Sequence, residues 1–191
     1  MTTMAMPDFL HTFDDFRHQV FRLESLDFYD SKSERAPLER FRAGLPQDPT
    51  WLEPWADRVR SINRRGASIG RVHVVTEPLS EYVLFEMTCA YPANLDAGEE
   101  IGILPRSTAQ RLEVPETDYW LFDDERTGVM VYDDAGTLSH VEVTRDPVVV
   151  REHVHWRQIC QDHAIPLRKY LAEAGLQPRI GSEHHPEETG E

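Results

Sequence analysis

Residues Thr117–Gly136 read TDYWLFDDERTGVMVYDDAG, and this stretch organises the rest of the chain. Tyr119, Trp120, Leu121 and Phe122 form an aromatic run of high strand propensity. Asp123 to Gly128 supplies turn chemistry, and Val129, Val131 and Tyr132 restart a strand. Asp133-Asp134-Ala135-Gly136 closes that strand with a second turn. The pattern predicts a β-hairpin with aspartates at the strand ends.

Working outward, LSHVEVT at Leu138–Thr144 alternates as a further strand. Asp146-Pro147 starts a helix, with Asp146 as cap and Pro147 at the first helical position, running to about His163. Pro166 interrupts it, and Leu167–Ala174 resumes. Upstream of the hairpin, Glu100–Leu104 and RVHVVT at Arg71–Thr76 read as strands. Ser80 starts a helix carrying Tyr82, Val83, Phe85, Met87 and Tyr91, and 92–98 reads as a loop. Thr50 and Glu53 form a capping box before an apolar stripe of Trp55, Val59 and Ile62. Ser33 and Glu34 open a short helix that Gly44 stops. Phe9, Phe13, Phe16 and Val20 recur at helical spacing and predict an amphipathic helix over Asp8–Phe21, followed by FRLE at Phe21–Glu24.

Consecutive strands joined by short turns imply antiparallel pairing. The expected fold is α+β: a single domain over 8–175, with an antiparallel sheet of about five strands and helices on one face. Residues 1–7 read as a flexible N-terminus, and the polar 176–191 as a disordered acidic tail.

Bulk properties exclude several function classes. The chain of 191 residues carries a net charge of −14, which argues against autonomous nucleic-acid binding, since phosphate affinity comes from clustered Lys and Arg. The acidity suits solubility and a basic partner surface. No apolar run approaches the roughly 20 residues that span a bilayer, and no secretory signal precedes the first helix. Cys89 and Cys160 make no disulfide scaffold. These points predict a cytoplasmic protein that touches no membrane. Lys32 and Lys169 are the only lysines, no Gly-rich phosphate loop is present, and neither lysine is placed for Schiff-base chemistry.

Candidate chemistry is sparse. His153 and His155 lie roughly 200° apart around a helix, and His155 and His163 about 12 Å apart along it, so neither pair shares a metal ion. Cys160 and His163 could meet on one helix face but lack an orienting group, so Cys160 reads as buried. The strand-end carboxylates Asp118, Asp123, Asp124, Asp133 and Asp134 could do acid–base work or hold a divalent ion weakly, although aspartate also favours turns on its own account. Of Arg22, Glu24, Arg71 and Glu99, three flank or interrupt apolar stretches, and a charge drawn toward a core needs a partner. Some of these four are expected to form a partly buried ion-pair network, either structural or lining a pocket. No catalytic residue, cofactor or metal is assigned, and Trp120 joins Arg22, Glu24, Arg71, Glu99, Asp118, Asp123 and Asp124 as candidate ligand-binding or network positions.

Several segments together resemble the actinobacterial domain of unknown function 6879 family. They are FRLE at Phe21–Glu24, ERFRAG at Glu39–Gly44, Trp51 and Trp55, and RVHVVTEPLSEY at Arg71–Tyr82. Gly98-Glu99, DYWLFDD at Asp118–Asp124, Trp156 and the Ala164-Ile165-Pro166 break complete the set. The resemblance implies a small cytoplasmic protein encoded beside helix-turn-helix regulators, with no established reaction. The strand-rich half followed by a helix is also similar to a phospholipase D-type half, as a fold-level analogy, but no histidine is followed two positions later by lysine, so that superfamily's catalytic motif is missing. The function expected is therefore a non-enzymatic regulatory or interaction protein acting on a partner such as a helix-turn-helix regulator. The alternatives are a small-ligand sensor, or a hydrolase or phosphate-handling enzyme using the Asp-rich strand ends with Arg22 or Arg71 as anion clamp. The oligomeric state is left open.

Overall fold

The computed structural model describes residues 1–179. Eight strands form one mixed sheet, in the order β1 (Thr2–Met4), β7 (Leu138–Thr144), β6 (Arg126–Tyr132), β5 (Tyr119–Phe122), β2 (Gln19–Glu24), β3 (Ser68–Val75), β4 (Glu100–Pro105) and β8 (Ile165–Pro166). The hairpin β5–β6 and its neighbour β7 are antiparallel, as the opening stretch predicts. The other half of the sheet departs from expectation. β2, β3 and β4 run parallel to one another, so the sheet is neither purely antiparallel nor five-stranded. Parallel neighbours require crossovers, and helices supply them: α2 (Arg35–Arg42) and α3 (Glu53–Arg64) lie between β2 and β3, and α4 (Glu81–Phe85) and α5 (Tyr91–Asp96) between β3 and β4.

The consequence is cover on both faces, not one. One face packs Val20, Ile69, Trp120 and Phe122 beneath α1 (Met6–Leu10), a 3-10 turn over His11–Asp14, and α3. The opposite face packs Leu23, Val72, Val74, Tyr119 and Leu121 beneath α6 (Arg106–Arg111) and α7 (Pro147–His163). At the β4 edge, Ile101 and Ile103 pack with Val83, Met87, Tyr91 and with Leu167 and Leu171 of α8 (Leu167–Glu173).

Double-sided burial explains the misread N-terminal helix. Helical structure stops at Asp14, and Gln19–Glu24 is a central strand. Phe9 and Phe13 sit on the helical part, but Val20 and Phe21 point to opposite faces of the sheet, each of which is apolar. Thr2–Met4, expected to be loose, pairs with Val141–Val143 as an edge strand. Residues 180–191 of the acidic tail lie outside the described residues.

Local capping also differs in detail. Asp48, not Thr50, caps the turn before α3, accepting from the Thr50 amide at 3.0 Å. Ser80 and Asp146 cap α4 and α7 as expected, by accepting from Val83 N–H and Val148 N–H. The hairpin turn is tighter than read: Glu125 N–H donates to Phe122 O at 2.9 Å, with Asp123 and Asp124 both at positive φ, which aspartate tolerates better than most residues. Gly128 lies instead within β6, where an added Cβ would come to 2.6 Å from the Phe9 ring.

Between α4 and α5 the chain widens into one π-helical turn, Glu86–Ala90. Pro92 has no amide hydrogen to offer the Thr88 carbonyl one turn back, and that carbonyl accepts from Arg179 N–H at 2.7 Å instead.

Candidate functional site

Strand register builds the site. Arg22 faces Trp120 across the antiparallel β2–β5 pair and Arg71 across the parallel β2–β3 pair, while Glu24 faces His73. In both β2 and β3 the alternation Phe-Arg-Leu-Glu and Arg-Val-His-Val sends apolar side chains to the α7 face and polar ones to the α3 face. The polar set thus emerges side by side on the middle of the sheet, under helices.

Arg22 Nη2 lies 2.9 Å from Glu24. Arg71 reaches Glu24 at 3.0 Å with Nη1 and Glu99 at 2.6 Å with Nε. Trp55 Nε1–H donates to the second Glu99 oxygen at 2.9 Å. Arg71, Glu24 and Glu99 are buried, so each charge depends on the others. Burial alone would raise the Glu24 pKa, but the charges of Arg22 and Arg71 outweigh it and hold the carboxyl down at about 2. The sequence-predicted residues Arg22, Glu24, Arg71 and Glu99 therefore stand together as one charge chain.

Above this floor is a cavity of about 390 Å³. Its far wall carries Trp51, Trp55, Glu86, Tyr91 and Asn94 from the 3-10 turn before α3, from α3, and from the π turn and α5. Its near wall is a strap, residues 25–34, which contributes Tyr29, Asp30 and Glu34. Asp118 anchors that strap: it accepts from Ser25 N–H and Oγ, each at 2.7 Å, and from Tyr29 Oη at 2.6 Å. The strap's other end is latched to the β6–β7 turn, where Asp30 N–H donates to Gly136 O at 3.0 Å.

Two acids in the cavity have no arginine against them. Burial, and then the charge of Glu24, push Glu86 well above the usual carboxylate range, with Tyr91 Oη 3.1 Å away. Burial also raises Glu34, against the opposing hydrogen bond from Tyr82 Oη. Tyr91 Oη lies 2.7 Å from His73 Nδ1, whose Nε2 lies 2.9 Å from Leu26 O, tying the floor to the start of the strap.

Four residues that line the cavity each hold one fully buried polar atom without a hydrogen-bond partner among the described residues: Arg22 Nε, Trp51 Nε1, Trp120 Nε1 and Asn94 Oδ1. Trp120 is 2% exposed and Asn94 4%. A buried unsatisfied group costs about 1–3 kcal/mol, and most native proteins hold few of them, so four around one cavity is a concentration.

The Asp-rich strand ends lie elsewhere. Asp123 accepts from the amides of Arg17, His18 and Gln19 at 2.6, 2.7 and 2.9 Å; burial would raise its pKa, but these bonds lower it. Asp124 pairs with Arg157 at 2.7 Å. Asp133 accepts from Ala135 N–H and Thr137 N–H, and Asp134 is exposed. None of the four lines the cavity. Cys160 is buried, and burial pushes its thiol up to about 12; the nearby His163 is exposed and its Nδ1 lies 2.9 Å from Ile159 O. Among the described residues no group of three or more His, Cys, Asp or Glu side chains could hold a metal ion, and no helix is long and apolar enough to cross a membrane.

Sequence reasoning passed over Glu34, Glu86 and Asn94 and the aromatic wall of Tyr29, Tyr82 and Tyr91. Glu86 carried a usable signal: it is the lone carboxylate inside the apolar run Tyr82–Tyr91.

This chain belongs to the family described as Domain of unknown function (DUF6879), whose model matches residues 7–172. No curated protein matches it. Among solved structures it is similar, at 10% identity and a TM-score of 0.46, to TrmBL2, an archaeal chromatin protein described as showing a novel mode of DNA binding. That alignment covers 86% of this chain and 52% of the other, so the chain spans about half the length of that protein, and at that score the likeness carries no argument. The likeness to a phospholipase D-type half gains no support from these comparisons.

Proposed function

We propose that this is a non-enzymatic small-ligand-binding protein, with its ligand seated on the Arg22–Glu24–Arg71–Glu99 floor. The observation that carries the reading is the cavity itself, walled by aromatic side chains over a buried charge chain, with Glu34 and Glu86 in its lining held by tyrosines and not by arginines. A volume of about 390 Å³ lies in the range of small-molecule sites. Its lining combines aromatic and aliphatic side chains with polar groups fixed in place, as such sites do. The non-enzymatic part of the reading rests on the make-up of the lining, which includes no cysteine, histidine or lysine. The regulatory part, action on a basic partner protein in the cytoplasm without direct nucleic-acid contact, is supported by the net charge of −14.

The test is a thermal-shift screen against a broad small-molecule library. A ligand at a hundredfold excess over its Kd adds about 2.7 kcal/mol of stability. Ala90, which lines the cavity, gives the control: Ala90→Leu fills space there and should abolish the shift while the protein still unfolds cooperatively. A library-wide absence of shift overturns the ligand-binding reading and leaves the acidic surface as the working part.

A further inference from the structure

The charges around the cavity do not balance, and the imbalance points to a class of ligand, an inference that rests on the ligand-binding reading above. On the floor, Arg22 and Arg71 face Glu24 and Glu99, two cations against two carboxylates. At the strap, Asp30 is matched by Arg35 at 2.7 Å. Asp118, outside the lining, is held by Ser25 and Tyr29. Glu34 and Glu86 are left over. Both line the cavity, and among the described residues their partners are hydroxyls, Tyr82 and more weakly Ser31 at Glu34, and Tyr91 at Glu86.

Hydrogen-bond donors are short at the same place. Tyr91 Oη carries one hydrogen, yet it lies 2.7 Å from His73 Nδ1, 3.1 Å from Glu86 Oε2 and 3.2 Å from Glu24 Oε2. His73 Nε2 faces Leu26 O, which can only accept, so a neutral imidazole holds its hydrogen there and Nδ1 is an acceptor. Three acceptors thus converge on a single O–H. The His73 ring does not answer Glu86 directly either, its Nδ1 being 3.8 Å from Oε2. The other oxygen, Glu86 Oε1, accepts from nothing among the described residues. Its side chain is 8% exposed and lines the cavity, and Oε1 is not among the unpartnered atoms closed off from solvent.

What this corner lacks is positive charge and N–H donors. Arg22 and Arg71 do not supply them, since they are turned to Glu24 and Glu99 and lie over rings, Arg22 5.3 Å from the Trp120 centroid and Arg71 5.2 Å from that of Tyr91. The unpartnered N–H groups of Arg22, Trp51 and Trp120 are closed off from solvent, so they offer a ligand nothing. Burial, and then the charges of Glu24 and Glu34, push Glu86 up; a cation set beside it favours the carboxylate instead. An anion in the same position would meet two acids and no unmatched arginine.

We propose that the cavity takes a small organic cation, an amine or guanidinium compound whose N–H donors meet Glu86 and Glu34 and whose apolar part lies against the aromatic walls. Isothermal titration of the full chain tests this with matched sets: tyramine against tyrosol and hydroxyphenylacetate, and putrescine and agmatine against butanediol and succinate. The expected result is that at least one cation binds at least about tenfold more tightly than its neutral and anionic counterparts, and the arm that responds separates aromatic from aliphatic amines. Glu86→Gln keeps the shape and removes the charge, so it should weaken that binding by about tenfold or more, the scale of one hydrogen bond to a charged group. Glu34→Gln, at a less buried position, repeats the test if the first variant folds poorly. A neutral or anionic member that binds as tightly as its cationic counterpart, or a folded Glu86→Gln protein that binds the cation undiminished, overturns the inference and leaves the ligand-binding reading standing. Silence of every cation overturns the inference alone, because the broader reading falls only if the library screen is also silent.

Discussion

Glu24 and Glu99 on the sheet floor, and Asp123 and Asp133 in the strand-end turns, are acids of similar prominence in the sequence, yet their charges are answered in different ways. The two glutamates are buried, Glu24 at the end of β2 and Glu99 just before β4, and arginine side chains neutralise them, Arg71 of the neighbouring β3 meeting both and Arg22 of β2 itself meeting Glu24. The two aspartates accept from backbone amides at the surface, Asp123 from Arg17 to Gln19 and Asp133 from Ala135 and Thr137. The difference teaches that an acid cluster in turns reports on turns, whereas an isolated charge inside an apolar strand reports on a partner across the sheet.

The sharpest way to break the comparison is Arg71→Met. It strands Glu24 and Glu99 with much of their compensation gone, and removing one member of a buried pair costs about 3–5 kcal/mol. Urea denaturation should show that loss, and a variant within about 1 kcal/mol of wild type would mean that the floor charges are better solvated than their burial implies. Next in size is Asp123→Ala, which removes three backbone acceptor contacts at a half-exposed site and should cost about 1–2 kcal/mol by the same measurement.

A pH series sharpens the contrast within the cavity. Glu86 has a folded pKa raised above its unfolded value near 4.5, so its contribution to stability is fully present below that value and is lost as pH rises through the folded pKa. Glu24 has the opposite sign: its contribution is present above 4.5 and is lost as pH falls toward about 2. Glu86→Gln should therefore gain on wild type as the pH is raised from about 5 to about 8, and unchanged relative stability across that range would contradict the raised pKa. The smallest effect belongs to Asp134→Ala, an exposed turn substitution that should stay within about 0.5 kcal/mol of wild type.

These contrasts bear on how far the sequence could be read. The β5–β6 hairpin, β7, the Asp146-Pro147 helix start and the helical region around Tyr82–Tyr91 were legible because each follows a local rule of period, cap or turn. The parallel trio was not, because β2 is apolar on both faces and its spacing imitates a helix where Phe16 and Val20 lie four apart. Of the site, Arg22, Glu24, Arg71 and Glu99 stood out as charges in apolar surroundings. Glu34, Trp51 and Asn94 did not, since only the crossovers over the parallel strands bring them above the floor.

The floor also has a history in the folding of the chain. Arg71 lies 47 residues from Glu24 and 28 from Glu99, and its register neighbour Arg22 is matched on the other side by Trp120. No single hairpin or helix pair contains even two links of this chain of charges, so loop closure over long separations must precede it. An intermediate in which only the hairpin half has formed would hold Trp120 without Arg71, and a fragment ending before Glu99 would leave Arg71 with half its compensation. The cavity thus exists only when β2, β3, the start of β4 and the hairpin are all in place, and its integrity is a readout of the sheet around it.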